Sequence, residues 1–268
     1  KPRIDGWRVK KSLILPVIPS SIKDIETRRN TLVKSVGDLR KQNLCIADPY
    51  LDVGTTNFYL AYHGKNNRSV MEEIAKLYIA ACPQLAYEAK HCRPIQKCNK
   101  DVLRVGFISS YFWDHTIGRL TQGVIQQLSR DRFQVTVFRP PRTQDRISRI
   151  IDQHADKVVP LHGSLEQARG LIENEQPDIL FYPDIGMSPL TYFLAFSRLA
   201  PVQAVTWGHP DTTGIPNIDY FVSSELLETS VAPDHYSEQL ISLKTVPTYF
   251  FRPDPPKNDF TRSDFSLP

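Results

Sequence analysis

From about residue 100 onward the chain repeats one pattern, strand then loop then helix, and that repetition limits its possible folds more than any single residue does. Residues 102–108, 133–138, 157–159, 178–182, 202–206 and 220–222 read as short strands, and residues 117–128, 146–151, 164–173 and 189–195 read as the helices between them. Strands alternating with helices call for a parallel sheet covered on both faces. The right-handedness of such crossovers then predicts an α/β fold of the Rossmann-like, doubly wound kind.

The texture before residue 100 is different. Residues 20–44 are charged, with Ile22, Ile25, Leu32, Val33, Val36 and Leu39 at a largely helical spacing behind the capping pair Ser20-Ser21. A second helix is predicted over 69–81, where Val70, Ile74, Leu77 and Tyr78 share a stripe and Pro83 ends the run. Residues 1–99 are therefore expected to be a helical accessory segment and residues 100–268 the Rossmann-like lobe. At 268 residues the chain is long enough to bury a full core. Its start at Lys1 and its end on DFTRSDFSLP, without a closing element, read as a piece cut from something longer.

Composition removes several function classes. The net charge is +4, and the basic residues are spread along the chain where a nucleic-acid binder would concentrate them, so no nucleic-acid partner is expected. Cys45, Cys82, Cys92 and Cys98 all fall in the first hundred residues, and the five-residue gap between the last two is poor zinc spacing. They read as free thiols in a reducing compartment, and no metal is expected. No apolar stretch approaches the ~20 residues of a membrane span, and KPRIDGWRVKK lacks a signal-peptide core. The expectation is a cytoplasmic or nuclear protein with no membrane partner.

In an open α/β sheet, ligands bind outside the carboxyl ends of the strands. The loops after three of the strands here read SSYFWDHT, PDIGMSP and WGHPDTTGIPN, and they should converge on one edge. They carry Gly186, Gly208 and Gly214, stiffening prolines at 183, 189, 210 and 216, and groups able to exchange protons or hydrogen bonds in His115, Asp184 and His209. Plainer roles are open for some of them. Asp184 could cap the helix starting near Ser188 or Pro189, Trp207 could be packing, and Asp219 could anchor a strand end. Neither GxGxxG nor GxxxxGK[ST] is present, which argues against a dinucleotide or P-loop site, and the absence of GxSxG argues against a hydrolase elbow.

The loops together carry a family resemblance. LRVGFISSYFWDHTIGRL, PDILFYPDIGM and LAPVQAVTWGHPDTTGIPNIDYFVSSELLE resemble the amino-terminal catalytic lobe of the O-linked N-acetylglucosamine transferase family and its bacterial relatives, and NFYLAYHGKNNRSVMEEIAKLY resembles that family's junction between tetratricopeptide repeats and the lobe. The resemblance runs from about residue 55 to about residue 250. It implies a two-lobed glycosyltransferase of the B type that inverts the anomeric centre as a sugar, N-acetylglucosamine, passes from a uridine diphosphate sugar to a protein Ser or Thr. No cofactor beyond that donor is implied. The expected partners are the protein acceptor, the nucleotide sugar and a carboxy-terminal lobe, on the same polypeptide or a second chain, that would hold the nucleotide.

By position the resemblance assigns catalytic roles to His115 and His63, either of which could take a proton from an attacking hydroxyl, with His115 favoured for contact with the reacting groups and His63 for acceptor-side support. It places Asp114, Thr116, Asp184, Trp207, Gly208, His209, Pro210 and Thr213 in the substrate cleft. Two departures stand out. Tyr111 replaces an acidic residue of the animal enzymes, and Thr116-Ile117 replaces Pro-Thr after the histidine. A noncatalytic scaffold of the same fold and a nucleotide-sugar epimerase are the competing readings.

Overall fold

The computed structural model describes residues 2–93, 101–252, 255 and 260–268. The helical segment comprises α1 (Pro2–Leu13), α2 (Ile22–Arg40), the single turn α3 (Pro49–Asp52), a 3₁₀ turn over Phe58–His63, and α4 (Arg68–Ala81). The second part runs β1 (Leu103–Ile108), α5 (Thr116–Gln127), β2 (Phe133–Arg139), α6 (Arg146–His154), β3 (Lys157–Pro160), α7 (Leu165–Glu175), β4 (Ile179–Tyr182), α8 (Pro189–Leu194), β5 (Val202–Thr206), β6 (Tyr220–Ser224) and β7 (Gln239–Leu243).

All strand pairs are parallel, in the order β3-β2-β1-β4-β5-β6-β7. The chain builds outward from β1 through β2 to β3, then returns to lay β4 on the other side of β1, with Val105 opposite Ile179 and Phe107 opposite Phe181. That reversal opens a crevice above the carboxyl ends of β1 and β4, the place where such sheets bind ligands.

Strand alternation sends side chains to two cores. Phe107, Val135 and Val137 pack with Ile125 of α5 and Ile147 and Ile151 of α6 on one face. Ile108, Phe138, Leu180 and Tyr182 pack on the other with α7, α8 and the helical segment, in one continuous cluster that reaches Val9 and Leu32. Tyr78 of α4 is fully buried at its centre, its ring 5.0 Å edge-on from Phe193. Helix starts follow their capping signals: Ser21 Oγ accepts from Asp24 N at the head of α2, and Asp145 with Ser148 and Ser164 with Gln167 form capping boxes on α6 and α7. Asp219 anchors a strand end, taking the Arg198 guanidinium on both oxygens (2.6 and 3.0 Å) and the Gln203 amide at 2.8 Å.

Besides the short turns α3 and Phe58–His63, α1 and β7 go beyond the sequence expectations. Residues 2–13 form α1, whose buried side comprises only Gly6, Val9 and Leu13 while Ile4 and Trp7 stay exposed, so its apolar positions show no single stripe. QLISL pairs as β7, an edge strand with no fully buried residue and hence no buried-strand signature. Cys98 and the boundary expected near residue 100 lie among residues 94–100, outside the described residues. Among the described residues Cys45, Cys82 and Cys92 are free, no cluster of three or more His, Cys, Asp or Glu side chains could hold a metal, and no helix is long and apolar enough to cross a membrane.

Candidate active site

The crevice is organised from beneath by Asp184, at the carboxyl end of β4. Its side chain is fully buried, and Oδ2 accepts both the Ser109 hydroxyl and the Ser110 backbone amide at 2.9 Å, tying the β1 loop to the β4 loop. The Ser110 and Ser188 hydroxyls, 2.7 Å apart, add a second tie. Burial outweighs these hydrogen bonds and pushes the Asp184 carboxyl up to about 6. Asp184 therefore fixes the crevice floor.

Above that anchor the β1 loop turns up into α5. Gly118 is required here, because a Cβ would meet the Trp113 backbone, which lies directly on the helix. His115 is the N-cap of α5, and its Nδ1 accepts the Ile117 amide proton at 3.2 Å. A nitrogen that accepts is unprotonated, so the neutral ring carries its proton on Nε2 and presents a donor there. Partial burial holds the imidazole below the ordinary histidine range, which keeps it neutral near pH 7. The ring lies between two aromatics, 4.5 Å from Tyr111 and 5.3 Å from Trp113.

His115 and Tyr111 form one wall of a cleft of about 410 Å³. The opposite wall comes from the helical segment, with Thr55, Thr56, Phe58 and Tyr59, and Met187 and Pro189 close the β4 side. Thr56 donates its hydroxyl to the Gly186 carbonyl at 2.5 Å, joining the helical segment to the β4 loop. Cleft size and mixed aromatic and polar lining suit a small ligand or a side chain. None of Thr55, Thr56, Phe58 and Tyr59 stands out in the sequence by chemical type; Phe58 and Tyr59 belong to the aromatic run NFYLAYHG, and Thr55 and Thr56 precede it without a signal.

The other predicted residues scatter around this cleft. Asp114 is exposed and paired with Arg119 at 2.7 Å, and Thr116 is exposed on the first turn of α5. His209 is buried, tilted against the Phe58 ring at 5.1 Å, and its Nε2 donates to the Phe58 carbonyl at 3.0 Å, so it braces the wall from behind. Trp207 and Gly208 border a separate narrow slot with Ile117, Pro183 and Thr248. A Cβ on Gly208 would run into the Pro183 carbonyl oxygen. Pro210 is exposed, whereas Thr213 is buried and donates its hydroxyl and its amide to Glu238.

His63 shares with Leu60 the buried side of the 3₁₀ turn. It is 5 % exposed, and neither ring nitrogen has a hydrogen-bond partner among the described residues. Nearby, Asn67 donates to Asp211 Oδ2 at 2.8 Å and to the Leu60 carbonyl at 3.3 Å, while Arg29 donates to Asn67 Oδ1 at 2.5 Å. Burial, reinforced by the Arg29 charge and opposed by Asp211 and Asp24, holds His63 below the ordinary range. Burial raises the Asp211 carboxyl against its bond to Asn67 and the nearby Arg29 charge. Asp211 was not among the predicted site residues, although it lies inside the quoted loop.

Comparison with known proteins identifies relatives of the chain and of its fold. A UDP-glucose:protein N-beta-glucosyltransferase of Actinobacillus pleuropneumoniae serotype 5b is 28 % identical over 146 residues, 54 % of this chain and 23 % of that protein. A probable UDP-N-acetylglucosamine–peptide N-acetylglucosaminyltransferase SPINDLY of Solanum lycopersicum is 25 % identical over 211 residues, 75 % of this chain and 21 % of that protein. The chain thus spans under a quarter of the length of these curated relatives. A solved structure of a Thermobaculum terrenum O-GlcNAc transferase mutant superposes with a TM-score of 0.60 at 17 % identity, covering 86 % of this chain and 45 % of that one, and shares the α/β fold with its parallel sheet. The family model of glycosyl transferase family 41 matches residues 21–255, and the chain belongs to that family.

Proposed function

We propose that this chain is the acceptor-side part of an inverting protein glycosyltransferase, moving a sugar from a uridine diphosphate sugar to a protein side chain. Residues 100–268 serve as the amino-terminal lobe, residues 1–99 as the accessory segment joining it to helical repeats upstream, and a carboxy-terminal lobe supplies the donor site. The setting is cytoplasmic or nuclear. N-acetylglucosamine and a Ser or Thr acceptor are the specific form of the proposal; the two curated relatives carry glucose and N-acetylglucosamine in their names, so the sugar is a result the assay must return.

The observation that carries this reading is His115 at the cleft wall, held by its Nδ1 on the head of α5. In a single displacement the acceptor oxygen bonds to the anomeric carbon as the bond to the diphosphate breaks, and the acceptor loses its proton. With Nε2–H as its free edge, His115 donates a hydrogen bond to an oxygen of the reacting groups and orients it. To act as a base at Nε2 the ring must first release Ile117 and move its proton to Nδ1. His63 is held neutral near pH 7 and its ring nitrogens have no partner among the described residues, which suits a supporting proton acceptor once the acceptor side chain reaches it.

A second reading has an observation of its own. The cleft lining holds Tyr111 and no carboxylate, so a scaffold that keeps the family's shape without its chemistry also fits. Mass-spectrometric transfer assays on the full-length protein, with uridine diphosphate sugars and mixed protein acceptors, separate the two. His115→Ala is expected to lower transfer at least a hundredfold and to cost about 1 kcal/mol of stability through the lost N-cap. Wild-type-like transfer by that variant removes His115 from the mechanism. No transfer with any donor favours the scaffold.

A further inference from the structure

The loop between β2 and α6, residues 140–145, has no part in the site as described, yet it grips the segment that carries His115 at two points. The guanidinium carbon of the exposed Arg142 stands 3.7 Å from the centroid of the Trp113 ring. Asp145 Oδ2 accepts the Asp114 amide proton at 2.8 Å while Oδ1 accepts the Ser148 amide at the head of α6, so one carboxylate joins that helix to the β1 loop. Trp113 and Asp114 are the two residues before His115, and Trp113 is one of the two rings in contact with the imidazole.

We propose that residues 140–145 clamp the β1 loop and that Arg142 is a positioning residue, acting through Trp113 to fix the plane of the His115 imidazole at the cleft wall. Stability alone gives this contact little purpose. An exposed cation–π pair contributes about 0.5–1 kcal/mol, less than the rotamer freedom a long arginine surrenders when fully held. Among the described residues no carboxylate pairs with Arg142 to hold it elsewhere. The contact has a clearer use in geometry, where a displacement of 1 Å can cost a hundredfold in rate.

The inference deepens the glycosyltransferase reading, but its first test does not depend on turnover. Full-length protein carrying ¹³Cε1-labelled histidine gives one signal per ring, and His115→Gln identifies the His115 signal by its loss. The charged and titratable groups around that ring are Tyr111 and Tyr59 in the cleft, Asp114 with its partner Arg119, and Asp145 and Arg142 from the neighbouring loop. In Arg142→Ala the rings around His115 loosen, water enters, and its titration midpoint rises toward the ordinary histidine range; Arg142→Lys keeps most of the wild-type behaviour. In an active protein, kcat of Arg142→Ala falls about tenfold with KM for the nucleotide sugar unchanged. An unchanged midpoint overturns the clamp, as does an unchanged kcat in an active protein. A shifted midpoint in a protein that transfers nothing upholds the clamp and removes the glycosyltransferase reading instead.

Discussion

The loops after β1 and β5 reach the same sheet edge with similar side chains, and they use them in opposite ways. In the β5 loop the polar groups turn inward: His209 is bound to the Phe58 carbonyl, Asp211 to Asn67, and Thr212 and Thr213 to Glu238. In the β1 loop the Ser109 and Ser110 hydroxyls turn inward, to Asp184 and Ser188, while Tyr111 and His115 line the cleft and Trp113 packs against the imidazole. A histidine in a ligand loop is thus no measure of chemistry by itself. What counts is which ring nitrogen stays free, and on which side of the wall.

The sharpest way to break this contrast is through Glu238, 6 % exposed, which accepts the Thr212 hydroxyl and both the amide and the hydroxyl of Thr213. Glu238→Ala strands the amide and hydroxyl of Thr213, while the Thr212 hydroxyl keeps Ser237 Oγ at 3.0 Å; at about 1–3 kcal/mol for each stranded donor, urea unfolding should show a loss of about 3 kcal/mol or more. A loss below about 1 kcal/mol would mean that the β5 loop is held by other contacts and that its threonines are free for a ligand.

Asp184 allows a subtler test, because it lies under the β1 loop and its burial is an electrostatic cost. Its folded value of about 6 exceeds that of an unfolded aspartate, so the folded state binds the proton more tightly. The stabilisation from that proton is complete below about pH 4 and is lost as the pH rises through about 6. Relative to Asp184→Asn, which cannot ionise, the wild type should therefore lose roughly 3 kcal/mol between pH 4 and pH 7. Parallel stability curves for the two proteins would show that the carboxylate is compensated in the fold and that the β1 loop rests on a charged floor.

The same contrast explains how much of the molecule was legible in its sequence. The strand that becomes β1 and the amphipathic turn into α5 could be read locally, because neighbours in sequence decide both a buried run and an N-cap. β7 could not, since an edge strand buries too little to leave a pattern, nor could α1, whose apolar residues divide between core and surface. The inward turn of His209 and Thr213 depends on partners far along the chain: Phe58 is 151 residues from His209, and Glu238 lies 25 from Thr213, beyond β6. The chemical types in the loops were legible, but their directions were set by tertiary contacts.

The smallest expected effect separates His115 from its neighbour. Asp114 is the acidic side chain next to the imidazole in sequence, and proximity alone would make it the substitute for the carboxylate that Tyr111 replaces. The structure turns it outward onto Arg119, with both side chains largely exposed, and what the neighbourhood uses of Asp114 is its backbone amide, held by Asp145. Asp114→Ala keeps that amide and should leave both the unfolding midpoint and the transfer rate at wild-type values, since an exposed ion pair of this kind contributes little. A large fall in kcat with an unchanged melt would place a proton-handling carboxylate at Asp114 after all, and the outward pairing with Arg119 would then be a resting state that the acceptor must break.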